Sequence, residues 1–148
     1  MKTYPYLRAY MAGIVVPSLG LLVAMTVFCV ARLVYRIPIP IERLLIFPMA
    51  IVPNLFGVWN IFYVWLHERR HLPIGLHGAL LPLVLAPVGF TLATSLGFLT
   101  VTARGFVWFQ AIHVPYPFVA AGFVSAVIVY YLIWKHLVGF FNELLGIA

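Results

Sequence analysis

Four stretches of this chain, residues 10–31, 44–66, 79–103 and 118–134, run through their middles without an ionisable side chain. Each is close to the about 20 apolar residues that an α-helix needs to cross the hydrocarbon core of a bilayer. With 65% hydrophobic and 8% charged residues and a mean hydropathy of +1.11, too little polar surface exists to coat a water-soluble globule. The expected fold class is therefore all-α, a polytopic integral membrane protein built as a four-transmembrane-helix bundle. At 148 residues the chain is expected to form a single membrane domain, 1–148, with no room for a separate soluble activity.

The connections are short. Residues 32–43 carry Pro38 and Pro40, and 67–78 carry Pro73, Gly75 and Gly78, so both read as tight turns. The third, 104–117, is aromatic (Phe106, Trp108, Phe109, Tyr116) and is expected to lie in the membrane interface, where amphipathic rings settle. The tail 135–148 is expected there too, with Phe140, Phe141, Leu144 and Leu145 against lipid. Cys29 is the single cysteine; the bulky Phe28 before it excludes lipoprotein processing, so the first span reads as a retained signal anchor. Lys2, Arg8, Arg69, Arg70 and Lys135 fall on one side and Arg32, Arg36, Arg43 and Arg104 on the other. Five against four favours both termini on the cytoplasmic side of an inner membrane, and so narrow a bias also admits dual insertion.

In lipid, helices associate through small residues that let backbones approach. Gly89, Ala93 and Gly97 recur at intervals of four in the third span, and Gly122 and Ala126 do so in the fourth; these are the expected packing seams, within one chain or between copies. Pro48 and Pro53 in the second span and Pro82 and Pro87 in the third each remove a backbone donor, which predicts proline-bent second and third helices. Asn54, Asn60, Thr91, Thr94 and Ser95 are polar groups at membrane depth. They are candidates for a polar pathway, or else for bonds between helices and back to their own helix carbonyls. No carboxylate, histidine or lysine stands at depth in a predicted span, which argues against an ion-coupled pump.

One string carries chemistry. His67-Glu68-Arg69-Arg70-His71 is a formal match to the zinc-protease pattern H-E-x-x-H, in which histidines four apart on a helix hold Zn²⁺ and the glutamate activates water. Glu68 is the corresponding catalytic candidate. Against it stand Pro73, which stops the helix, the adjacent arginines, the lack of a third ligand at any such spacing, and the absence of aspartate from the chain. A bare metal site for zinc or iron is the gentler version, because the topology puts His67, His71, His77, His136 and Glu143 on one side of the membrane. The competing reading is interfacial histidines and arginines in contact with lipid phosphate.

No phosphate loop, dinucleotide fingerprint or nucleophile elbow is present, and the scattered cations form no nucleic-acid patch. The best reading is a helix-packing accessory or structural subunit, or a self-associating bundle, with the lipid bilayer and copies or membrane-complex subunits as partners. It leans away from enzyme activity and needs no cofactor. A small oligomeric channel or facilitator for a neutral solute, and a metal-dependent enzyme at the 67–71 turn, are the alternatives.

Overall fold

A computed structural model describes residues 4–36, 41–70, 72–110 and 112–147, with the side chains of 41–50 and 68–70 outside the description. The chain is mostly helical. Helix α1 spans Pro5–Leu33, α2 Ile41–Arg70 and α3 Ile74–Ser95; α4 spans Tyr116–Leu132 and continues through a π-helical turn, Ile133–Val138, into α5, Gly139–Leu144. Among the described residues three helical stretches are long and apolar enough to cross a membrane: Pro5–Leu33, Ile74–Ser95 and Tyr116–Leu144. At 1.5 Å per residue, the 29 residues of α1 rise about 43 Å, more than the hydrocarbon core of about 30 Å. Pro5 opens α1 in the first helical positions, where the missing donor costs nothing. Pro17, Pro82 and Pro87 lie inside continuous helix.

The third expected span, 79–103, is corrected by the structure. Helix α3 begins earlier, at Ile74, and ends at Ser95. Its end is a Schellman cap: the Phe98 amide donates to the Ala93 carbonyl at 2.8 Å and the Gly97 amide to Thr94 at 3.1 Å. Gly97 takes a φ of +72°, a left-handed conformation that glycine adopts without a Cβ clash. Residues assigned to the end of a span and to an interfacial segment instead form a three-stranded antiparallel meander, β1 (Leu99–Thr102), β2 (Gly105–Trp108) and β3 (Ile112–Pro115). Leu99-Thr100-Val101-Thr102 alternates apolar with polar and is rich in β-branched residues, which suits a half-buried strand better than a helix. Thr102 faces Gly105 across the first hairpin, and the Thr102 hydroxyl donates to the Gly105 carbonyl at 2.8 Å. A side chain at Gly105 would collide with the Val114 carbonyl of β3.

The chain divides into two compact units, Met1–Leu72 with Leu137–Ala148, and Pro73–His136. In the first, α1 packs along α2, and α5 packs on α1. The contact of α1 with α2 is made at glycines: a Cβ on Gly13 would enter the Phe56 carbonyl, and one on Gly57 would enter the Tyr10 ring. In the second unit α3 packs on α4. Gly75 lies under the Tyr131 ring and Gly78 under Trp134, while Leu81 and Trp134 are closed off from solvent. The tight approach in each unit thus rests on glycines whose missing side chains make room for a carbonyl or a ring.

Gly13→Val and Gly78→Val are expected to lower stability in detergent by about 1–3 kcal/mol each, the usual cost of overpacking. Gly122→Val, at a position with no atom within 4 Å of its would-be Cβ, is expected to leave thermal unfolding of the purified protein unchanged.

Candidate functional site

The most completely buried polar cluster lies in the first unit. Asn60 of α2 and Asn142 of α5 are both 0% exposed. Asn60 Nδ2 donates to Asn142 Oδ1 at 2.7 Å and to the Ala9 carbonyl of α1 at 2.8 Å. Asn142 Nδ2 returns a bond to Asn60 Oδ1 at 3.2 Å. A reciprocal amide pair satisfies donor and acceptor on both residues, as burial away from water requires. The Ala9 carbonyl lies within reach of α2 because Ala9, Ala12 and Gly13 keep the buried face of α1 small and the backbone of α2 comes close at Gly13.

A second clamp holds the same C-terminal segment. Arg8 Nη1 donates to the Leu145 carbonyl at 3.3 Å, and Gly146, at φ +64°, closes α5 with a further Schellman cap in which Ile147 donates to Asn142 and Gly146 to Glu143. An arginine at a helix C-terminus also meets the negative end of the helix dipole. Part of the tail expected to rest on lipid is therefore folded against α1 and α2: Phe140 and Leu144 are exposed, and Asn142 faces inward. Sequence reasoning missed Asn142. Its signal was a lone amide among Phe140, Phe141, Leu144 and Leu145 on a helical stretch.

Of the other candidates for a polar pathway, Asn54 is bonded across helices and Thr91 and Thr94 within their own. The Tyr10 hydroxyl donates to Asn54 Oδ1. Thr91 donates to the Pro87 carbonyl one turn back, and Thr94 to the carbonyls of Phe90 and Thr91, all at 2.9 Å. Ser95 is exposed in the last turn of α3. Asn54 and Asn60 belong to the first unit; Thr91, Thr94 and Ser95 belong to the second.

Among the described residues the candidate metal ligands form no group of three. His67 is exposed on α2 with its ring 5.2 Å from Tyr63. His77 lies in the first turn of α3, 1% exposed, edge-on to Trp134 at 5.8 Å. His136 in the π-helical turn and Glu143 on α5 are both exposed. Helix α2 runs to Arg70, and Leu72 and Pro73 are non-helical. The Glu68 side chain and His71 lie outside the described residues, and among those described no three His, Cys, Asp or Glu side chains come together as a metal site.

The predicted packing residues sort differently. Gly97 belongs to the cap of α3 and not to a helix face. Gly89 and Gly122 are exposed with no atom within 4 Å of where a Cβ would stand, while Ala93 and Ala126 are half-buried. The seams that do form use Gly13, Gly57, Gly75 and Gly78.

Replacing Asn142 leaves the buried Asn60 amide with its bond to Ala9 alone, and replacing Asn60 removes both bonds that the buried Asn142 amide makes to it. Asn60→Leu and Asn142→Leu are each expected to destabilise the protein in micelles by about 1–3 kcal/mol. The double variant should fall short of the sum by about 1 kcal/mol, measured by equilibrium denaturation as a double-mutant cycle. In comparisons with known proteins, no family model, no curated protein and no solved structure matches this chain.

Proposed function

We propose that the chain is a multi-pass membrane protein that works through its helix surfaces, as a self-associating or accessory structural subunit. Helix α2, uncharged over residues 44–66, serves as a fourth crossing between Glu42 and Arg43 at one end and the 67–70 cluster at the other. With four crossings both termini fall on one side, and the count of five lysines and arginines against four favours the cytoplasmic side of an inner membrane.

The observation that carries the reading is the division of the helical glycines into two sets. Gly13, Gly57, Gly75 and Gly78 are filled by neighbours from their own unit, whereas Gly20, Gly89 and Gly122 meet nothing. Small residues that open a helix surface without being used by their own chain leave that surface suited to the backbone of another helix. The bonding of Asn60 across helices and of Thr91 and Thr94 within α3 supports packing over a solute path along the same groups, because a path would need their polar atoms free to exchange with the solute.

The test is association in liposomes, followed by single-molecule subunit counting as the protein-to-lipid ratio is varied. The wild-type chain is expected to associate, and a Gly89→Leu, Gly122→Leu variant to associate about tenfold more weakly, equivalent to about 1.4 kcal/mol, with unchanged unfolding. A wild-type chain that stays monomeric at every ratio, or a variant that associates as well as wild type, would refute the proposal.

A further inference from the structure

The meander between α3 and α4 has two unlike faces. Its register pairs Leu99 with Trp108, Val101 with Phe106, Phe106 with Val114 and Trp108 with Ile112. Alternate residues of a strand point to one side, so Leu99, Val101, Phe106, Trp108, Ile112 and Val114 form one wholly apolar face. The opposite face carries Thr100, Thr102, Gly105, Val107, His113 and Pro115.

The helices cover only the middle of the apolar face. The Phe106 ring stands 5.7 Å from Phe90 of α3 and 5.6 Å from Tyr116 of α4, and Leu99 is 4% exposed. At the two outer strands Val101 is 50% exposed and Ile112 is 59% exposed. The sheet thus overhangs the helix ends with apolar side chains directed to the side from which the helices come.

Its tethers are too short to carry it away from there. Only Leu96, Gly97 and Phe98 separate α3 from β1, and β3 runs directly into α4, where the Tyr116 hydroxyl donates to the Thr102 carbonyl at 2.7 Å. Three extended residues reach about 10 Å. The outer edges of β1 and β3 carry backbone groups that no third strand within this sheet pairs, and such edges are not tolerated in hydrocarbon. The polar face and open edges hold the sheet out of the acyl chains, while the overhanging apolar face and short tethers hold it against them.

We propose that this sheet lies flat in the headgroup layer as a lipid-facing platform, its apolar face in contact with the acyl chains of one leaflet and its Thr100 and His113 face in water. The partner is the bilayer leaflet itself, and the proposal rests on the reading that α3 and α4 cross the membrane.

Spin labels on single cysteines in a Cys29→Ala background, reconstituted in phosphatidylcholine liposomes, test it through accessibility to oxygen and to a water-soluble nickel chelate. Labels at Val101 and Ile112 are expected to favour oxygen several-fold over labels at Thr100 and His113, giving an alternation along the strands. Labels at Val88 of α3 and Val124 of α4, both exposed, report the membrane reading independently. If Val88 and Val124 favour oxygen while Val101 and Ile112 favour nickel, the platform is overturned and the spans stand. If Val88 and Val124 themselves favour nickel, both fail. Labels at Val101 and Ile112 that reach neither reagent would mean that protein covers the face, which also overturns the proposal.

Discussion

Where water is absent, a polar group has to find its partner within the protein, and much of this structure can be read as a set of answers to that requirement. Helix formation satisfies the backbone over most of the chain. What remains are helix ends, side-chain amides and hydroxyls, and several of the described ones find partners within the protein. The ends of α3 and α5 close on themselves through Gly97 and Gly146. The threonines of α3 bond to carbonyls a turn earlier, including that of Pro87. Asn60 and Asn142 bond to one another and to Ala9. Among the described bonds, those of the amide pair join three helices, α1, α2 and α5.

Glycine has three distinct tasks in the same chain. At Gly97, Gly105 and Gly146 the backbone needs a positive φ. At Gly13, Gly57, Gly75 and Gly78 a neighbouring carbonyl or ring occupies the place of a side chain. At Gly20, Gly89 and Gly122 neither condition holds, and it is this third group that supports a role in association. A spacing of four residues identifies a helix face, but all three tasks are compatible with that spacing, so Gly89, Ala93 and Gly97 look alike in sequence and are not alike in structure.

The meander illustrates the same limit. Mean hydropathy over 79–103 does not distinguish an apolar helix from an apolar helix followed by an apolar strand. The alternation in Leu99-Thr100-Val101-Thr102, the glycines at 97 and 105 and the aromatics that follow were all legible as strand and turn signals. Over 79–103 they are overridden by the length of the apolar run, which alone suits a span. A helix is the rule inside hydrocarbon, where an open sheet leaves its edges unsatisfied, whereas water and headgroups at an interface can bond such edges.

What the sequence by itself determined is the class: helices whose length and apolarity suit a bilayer, placed by runs of uncharged residues, with charges confined to their ends. Hydropathy decides this because transfer free energy sums along the chain and needs no knowledge of neighbours. Tertiary structure decided which polar and small residues matter. Asn60 was visible as a buried amide but Asn142, 82 positions away, became its partner only through folding. The glycines in contact were separated from those left open by the approach of particular side chains, Tyr10, Tyr131 and Trp134. Pairwise contacts of this kind depend on distance in space, and a periodicity along one helix contains no information about what stands opposite it.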